Sequence, residues 1–439
     1  MTAGTAPEHY DAAVIGGGVG GLSVAARLVA AGCRVLVLER LKEVGGRFTD
    51  VTIDGFHVST GGVGIEIDGG FQECFDLVGA PFDVVAPPEP VLRYKVAEGY
   101  VDAGERGSLR RLIMAAARSD EEGSRVFGAL KRALAWEEPS PGMSLVEWLG
   151  SYTDNKELIG IFAGICEATH GPGERVPARQ FIQFIKVQGG YRSFGFARYG
   201  NRAVIQALAD GIRGRGGEIR TRATVKGIAV ERQRVTGLRY EHRGREVTVT
   251  ADAVVSNAGP KVTVGLAGRE AFDSGYLALV DRMRPMEIVT VVSVDRRPLH
   301  EFPGTTIPSL AGTRRISYLA TPTLIAPESS DGGHLTESYG MVRDPSNWAA
   351  EVEANLADLE DHLPRFDRSK NVLRVNCYSG AWPCYHAVPG DDVPQRTPVE
   401  MLYNVGDGVK PDGWSGLAAC AETGRLVAAD ILSRLSGRP

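Results

Sequence analysis

Residues 12–39 constrain the fold more than any other stretch of this 439-residue chain. Ala12-Ala13-Val14-Ile15 is an apolar run suited to a buried strand, and Gly16-Gly17-Gly18-Val19-Gly20-Gly21 follows without a break. Leu22, Ala25, Ala26, Leu28 and Val29 then recur at helical spacing up to Gly32. A second apolar run, Arg34-Val35-Leu36-Val37-Leu38, ends in Glu39. Strand, G-x-G-x-x-G, helix, strand and acid in this order predict a βαβ unit that binds an ADP-containing dinucleotide. Gly16 allows the tight turn, Gly18 lets a pyrophosphate approach the backbone, and Gly21 lets helix and sheet pack closely. Gly20 belongs to the same bare turn. The phosphates would meet free N–H groups at the positive end of the helix. Glu39 stands where a carboxylate accepts ribose hydroxyls, and its charge would repel a 2′-phosphate.

The rest of the composition removes other classes. Hydrophobic residues make up 43% and charged residues 23%, which suits a globular core rather than a disordered chain. A net charge of −5 argues against a dedicated nucleic-acid binder. Six cysteines are scattered with no C-x-x-C pair, so neither a disulfide framework nor a bound metal is expected. The N-terminus has no basic and apolar leader, and Arg27 and Arg34 interrupt the longest apolar stretch. A cytoplasmic protein without a membrane span is therefore expected, with peripheral membrane contact left open for a lipidic substrate.

Beyond Glu39-Arg40 the chain carries Glu43-Val44-Gly45-Gly46-Arg47 and then Asp54-Gly55-Phe56-His57-Val58-Ser59-Thr60-Gly61. With these blocks it resembles the FAD-dependent superfamily of flavin amine oxidases and phytoene desaturases, and it is more similar to the phytoene desaturase-like branch. The resemblance implies FAD as cofactor and lays Glu39, Arg40, Gly45, Gly46 and Arg47 along it. The sequence departs at Ser59, where the desaturases usually have Asp, while Gly61 and Gly62 remain for close backbone approach. Arg198-Tyr199-Gly200-Asn201 and Thr224-Val225-Lys226-Gly227-Ile228 resemble the family's second region, in which the backbone of Val225 would pair with adenine. Asn257 lies in the strand-and-turn Ala253–Pro260, and Asp407, in Leu402–Asp407, maps to the acid that bonds the ribityl or phosphate part. Trp414, Gly416 and Leu417 open a last helix whose N–H groups would face the flavin pyrimidine edge, where reduced flavin gathers negative charge.

Because these blocks are far apart, the expected fold is α/β, with a discontinuous Rossmann-like FAD-binding domain (1–75, 195–265 and 395–439). Residues 76–194 and 266–394 would form an inserted α+β substrate-binding domain, a mixed sheet backed by helices. Within it, Leu109–Ala135 has helical spacing, Ser144-Leu145-Val146-Glu147 is a capping-box signature, Arg179–Val187 reads as a helix, and Glu287–Val294 reads as a buried strand.

No second G-x-G-x-x-G follows a strand, so electrons would leave to oxygen or a quinone, or the flavin would act without net redox change. The shared chemistry implied by the resemblance is hydride transfer from a substrate carbon to flavin N5. The leading expectation is a C–C desaturase or dehydrogenase of an apolar, polyene or alicyclic small molecule. A flavin amine or amino-acid oxidase is the alternative, with a redox-neutral isomerase or a non-catalytic flavin-binding protein behind it. His170, His386 and Tyr199 are the candidate catalytic side chains, a histidine being the natural proton carrier near neutral pH. The oligomeric state is not assigned.

Overall fold

The computed structural model describes residues 7–103, 108–189 and 193–436. Its first sheet is seven-stranded and built around Glu8–Ile15, which pairs in parallel with Val35–Leu38 on one side and Arg245–Ser256 on the other. Glu218–Arg220 extends it in parallel beyond Val35–Leu38. The strand Arg245–Ser256 divides its partners. Its first half pairs antiparallel with Arg234–His242, which in turn pairs with Ala223–Glu231, and its last residues pair in parallel with Leu402–Asn404. The central strands are buried on both faces, as the continuous apolar runs at 12–15 and 35–38 require. The helices Val19–Ala30, Gly70–Val78 and Gly416–Ser436 pack together beside this sheet. A Cβ on Gly424 would stand 2.8 Å from the Ser23 Cβ, so the last helix crosses the first at a distance only glycine permits.

The second sheet is also seven-stranded and almost wholly antiparallel. Its order is Val372–Tyr378, Ile288–Asp295, His334–Met341, Ile316–Ala320, Thr305–Pro308, Leu92–Val96 and Gly99–Ala103. Only Thr305–Pro308 and Leu92–Val96 run parallel, a pairing that a long crossover connection permits. Alternation sorts its two faces. Val289, Val291 and Leu319 pack outward with Leu359 of the helix Trp348–His362, while Ile288, Thr290, Tyr318, Tyr339 and Met341 face an interior cavity. Helices between Ser108 and Gln188 build a second core that includes Leu112, Leu130, Phe162 and Phe181. The molecule is thus a mixed α/β protein with a Rossmann-like sheet and an α+β insertion.

Leu109–Ala135 is two helices, Ser108–Ala116 and Asp120–Ala135, not one. Ser119 makes the break: its hydroxyl accepts the Glu122 N–H as an N-cap, and three acidic residues fill the first turn. The Ser144–Glu147 capping box has both reciprocal bonds. Among the described residues no helix is long and apolar enough to cross a membrane; the first six residues lie outside them.

Candidate active site

Four parallel strands of the first sheet end level: Ile15 is opposite Leu38 and Ser256, and Ser256 is opposite Asn404. The residues just past those ends are Gly16, Glu39, Asn257 and the Val405-Gly406-Asp407 turn, four sequence-distant segments brought to one edge. A ligand of an open α/β sheet binds there, outside the carboxyl ends of its strands. A continuous cavity of about 810 Å³ runs along this edge and on to the inner face of the second sheet.

Glycines set the shape of the dinucleotide end. Gly16 has a φ of +93°, which turns the chain sharply out of the first strand. A Cβ on Gly21 would lie 2.1 Å from Gly16 O, so this residue governs helix–strand packing and does not itself reach the cavity. Gly18 and Gly20 present bare backbone to the cavity, and the helix Val19–Ala30 has no side-chain cap, so its first N–H groups stay available to an anion. Asn257 lies across this turn: a Cβ on Gly18 would stand 2.5 Å from its Nδ2, and one on Gly20 2.8 Å from its Oδ1.

Glu39 is buried. One carboxylate oxygen accepts Gly17 N–H and the other Leu41 N–H, each at 2.8 Å, so the acid is oriented before any ligand arrives. Arg40 and Val225 stand on the wall beside it. Gly45, Gly46, Gly61 and Gly62 line the middle, and Gly416 and Leu417 bring the last helix's N-terminal turn to the wall.

Arg47 and Asp407 form the strongest electrostatic unit. Two Arg47 nitrogens donate to the two Asp407 oxygens at 2.7 Å each, a bidentate pair. Arg47 also donates to Pro383 O and Cys384 O, at 3.0 and 2.8 Å. His386 completes the group through Nδ1, 2.8 Å from Asp407 Oδ1, and its own N–H donates to Asp407 Oδ2 at 3.2 Å. Burial opposes the charge on Asp407, but Arg47 and His386 overcome it and hold the carboxyl well below the usual carboxylate range. Burial pushes the neighbouring thiols of Cys384 and Cys420 up to about 12, so both are neutral and inert.

Sixteen of the sequence-expected residues thus share one wall: Gly16, Gly18, Gly20, Glu39, Arg40, Gly45, Gly46, Arg47, Gly61, Gly62, Val225, Asn257, His386, Asp407, Gly416 and Leu417. Gly21 acts behind it, and three others lie elsewhere. Trp414 is half-buried in the turn before the last helix, off the cavity wall, because Gly413 at a φ of +79° packs that turn against Gln183. Tyr199 is 48% exposed in the turn ahead of Asn201–Gly214. His170 sits behind the wall, edge-on to Phe184 with ring centres 4.6 Å apart, and its Nδ1 meets Thr169 Oγ1 at 2.7 Å. Burial pushes it down to about 3, which keeps it neutral.

Sequence reasoning expected a substrate region built on a sheet backed by helices, but it singled out none of the residues that line the second half of the cavity. Ile288, Thr290, Ile307, Tyr318, Tyr339 and Met341 wall a mostly apolar chamber, with Tyr318 and Tyr339 stacked at 4.4 Å. Tyr339 OH donates to Ala168 O at 2.7 Å and ties the sheet to the helix Lys156–Thr169. On that helix Glu167 is buried against Arg343, and burial pushes its carboxyl up to about 7 although Arg343 pulls it down. Glu337, on the same sheet face as Tyr339, takes a long hydrogen bond of 3.4 Å from the N–H of Ser59, so a carboxylate from the second sheet stands against the position where the desaturases carry Asp.

The backbone cradle at Gly16–Gly20, the buried and pre-oriented acid Glu39 and the channel leading on to a second chamber fit FAD. Comparison with known proteins agrees. The sequence profile of flavin-containing amine oxidoreductases matches residues 19–432. A neurosporene-forming phytoene desaturase of Rhodobacter capsulatus is 27% identical over 282 residues, 56% of this chain and 52% of that one, so the match spans about half the length of that relative. The crystal structure of an oxidoreductase from Methanosarcina mazei superposes with a TM-score of 0.82 at 27% identity, covering 97% of this chain and 99% of the other. A putrescine oxidase variant superposes with a TM-score of 0.73 at 17% identity, over 97% and 99% of the two chains, a likeness of fold.

Proposed function

The chain belongs to the flavin-containing amine oxidoreductase family and is an FAD-dependent oxidoreductase, and on that premise we propose that it dehydrogenates a carbon–carbon bond of an apolar small molecule. The observation that carries this reading is the chamber beyond the dinucleotide channel. Its inner wall is built from Ile288, Ile307, Tyr318, Tyr339 and Met341, and the basic side chains on the cavity wall, Arg40, Arg47 and Lys261, come from the dinucleotide-side segments. An apolar substrate is held there by desolvation, at ~25 cal/mol per Å² of buried apolar surface. The bound flavin supplies a two-electron acceptor for hydride from the substrate carbon, and the protein contributes orientation and exclusion of water.

In this reading residues 1–75, 195–265 and 395–439 hold the cofactor, and residues 76–194 and 266–394 surround the substrate. Gly16, Gly18 and Gly20 take the pyrophosphate, Glu39 the ribose and Val225 the adenine, while the first turn at Gly416 and Leu417 stabilises negative charge on the reduced flavin. His386 serves with Arg47 to keep Asp407 ionised. An amine substrate is the second reading, favoured by the aromatic group Tyr378, Trp382 and Tyr385 on the same wall, which suits a cationic or amine carbon.

An anaerobic flavin-bleaching screen across polyenes, alicyclic compounds and amines tests the assignment. Bleaching by unsaturated or alicyclic compounds with amines inert is expected. Bleaching by amines, with peroxide formed on aeration, would replace the first reading with the second. Substrate rearrangement without bleaching would instead identify an isomerase. Reoxidation with oxygen or a quinone then identifies the acceptor.

A further inference from the structure

A second, separate cavity of about 20 Å³ lies between the hairpin Asp50–Ser59 and the inner face of the second sheet. That volume holds about one ordered water, provided polar groups surround it. They do: His57, Ser59, Asn201, Thr323, Ser329 and Glu337 are on its wall. Val63 belongs to the walls of both cavities.

Glu337 is buried in the middle of the strand His334–Met341, on the face that turns Tyr339 and Met341 into the chamber. Two residues along a strand is ~7 Å, so its Cβ lies one step below that of Tyr339. Its carboxylate takes the 3.4 Å hydrogen bond from Ser59 N–H, and among the described residues no cation forms an ion pair with it. The titratable groups that face it are Asp50 and His57 on the hairpin, Tyr318 on the adjacent strand and Tyr378 two strands away, with the Arg198–Glu328 pair beyond the water space. A buried carboxylate without a cation weakens a fold, and glutamine or leucine would pack there at lower cost. Burial, reinforced by Asp50, pushes Glu337 up to about 7, which brings the acid and its carboxylate within reach of one another near neutral pH. On the other side of the water space, His57 is partly exposed and held through Nδ1 at 3.0 Å from Asp50 Oδ1. Asp50 is fixed in turn by Arg202 N–H at 2.6 Å.

We propose that Glu337, the water space and His57 form a proton exit from the oxidation chamber. The proposal rests on the carbon–carbon dehydrogenation reading. Oxidising a single bond to a double bond removes one hydride, taken by the flavin, and one proton. As the second C–H electron pair becomes the new π bond, that proton must be accepted by the protein. Tyr378 lines the chamber and feels the Glu337 charge across the intervening strand Ile288–Asp295, and in this proposal its hydroxyl accepts one proton as it gives up its own. Glu337 goes from carboxylate to acid, and returns to carboxylate when the proton passes through the water to the His57 imidazole and out to solvent. Glu337 is thus a relay residue that acts through the wall, not one that touches substrate.

The test uses the FAD-loaded protein and the variants E337Q, E337D, Y378F and H57A. Infrared difference spectra against pH should show the carbonyl stretch of a protonated carboxylic acid that titrates near neutrality, persists in E337D and disappears in E337Q. With a substrate that bleaches the flavin, E337Q should slow bleaching roughly a hundredfold and remove its neutral-pH dependence, as loss of a proton acceptor does. Y378F should slow bleaching while keeping the infrared band, and H57A should keep the band while delaying proton release to a pH-indicator dye. Dithionite should still reduce the flavin of E337Q, which shows the variant folded and loaded. If no band is lost in E337Q, or if its bleaching keeps the parent rate and pH profile, the proposal is overturned. If the band behaves as stated but no apolar substrate bleaches the parent protein, the dehydrogenation reading has failed instead.

Discussion

Replacing Asp407 with asparagine tests the electrostatic centre of the site. The variant keeps the shape of the side chain but removes the charge that answers two 2.7 Å bonds from Arg47. Arg47 remains among the carbonyls of Pro383 and Cys384 with no counter-charge. Breaking one side of a buried ion pair costs ~3–5 kcal/mol. Arg47 retains 26% of its side-chain exposure and both carbonyl acceptors, which places the loss at the lower end, ~3 kcal/mol. That is a large part of a typical ~5–15 kcal/mol stability. The pH dependence has a definite sign. Asp407 is held well below the ordinary range when folded, so its contribution is complete above the unfolded value of ~3.9 and is lost as pH falls through the folded value. Urea unfolding of the apoprotein should therefore show parent and D407N curves offset at neutral pH and converging in acid. FAD at a hundred times its Kd adds ~2.7 kcal/mol to the parent. That increment should shrink in D407N, because the displaced Arg47 no longer shapes the channel wall. An offset under ~1 kcal/mol at neutral pH, or one that does not narrow in acid, refutes the reasoning.

Other substitutions probe the wall and its surroundings. G21A should lose ~1–3 kcal/mol or more and fail to retain FAD in gel filtration, because its Cβ would meet a backbone oxygen at 2.1 Å. G265A, in the helix Pro260–Ala267 with nothing within 4 Å, should be neutral or stabilised by up to ~1 kcal/mol in urea unfolding. E39Q should weaken FAD roughly 10–100-fold by titration, since its amide would turn donors toward Gly17 or Leu41 N–H and leave one of them unanswered. H170F should leave the pH profile of flavin reduction unchanged, because His170 is neutral throughout the working range. It should also reduce acid sensitivity: with His170 folded at about 3, the unfolded chain takes the proton first, and the parent loses stability as pH falls from the ordinary ~6.5 toward that value.

The cofactor half of this molecule is legible in the sequence because its requirements are local. Gly16, Gly18, Gly20 and Glu39 all reach one cavity wall, and spacing along the chain encodes that placement. Asn257 and Asp407 are legible only through resemblance, since the parallel register that sets Ser256 beside Ile15 and Asn404 joins residues hundreds of positions apart. The sheet that walls the chamber is expected from the sequence, but the residues that line it are not legible. Period-two alternation places Thr290, Glu337 and Tyr339 on one face of their strands, but it does not state what lies opposite that face. His170 misleads for a related reason: Thr169 reaches the cavity, and the turn that ends the helix sends the next side chain back among phenylalanines. The break at Ser119 is hidden because apolar spacing continues across it, and a single hydroxyl-to-backbone bond decides where the second helix begins.

The two halves of the cavity therefore answer to different physical constraints. Along the first sheet the wall is mostly backbone at strand ends, and a side chain on Gly18 or Gly20 would collide with Asn257 across the turn. Along the second sheet the wall is side chain, from strands whose hydrogen bonding is indifferent to what projects inward. A substitution at Thr290 or Tyr339 changes the volume and polarity of the chamber while leaving the ladder, and with it the flavin channel, in register. The fold can consequently stay nearly fixed while the substrate changes. A putrescine oxidase variant at 17% identity accordingly shares the architecture, and on the reading proposed above substrates are distinguished on the inward face of the second sheet, where among the described residues Glu337 has no cation partner.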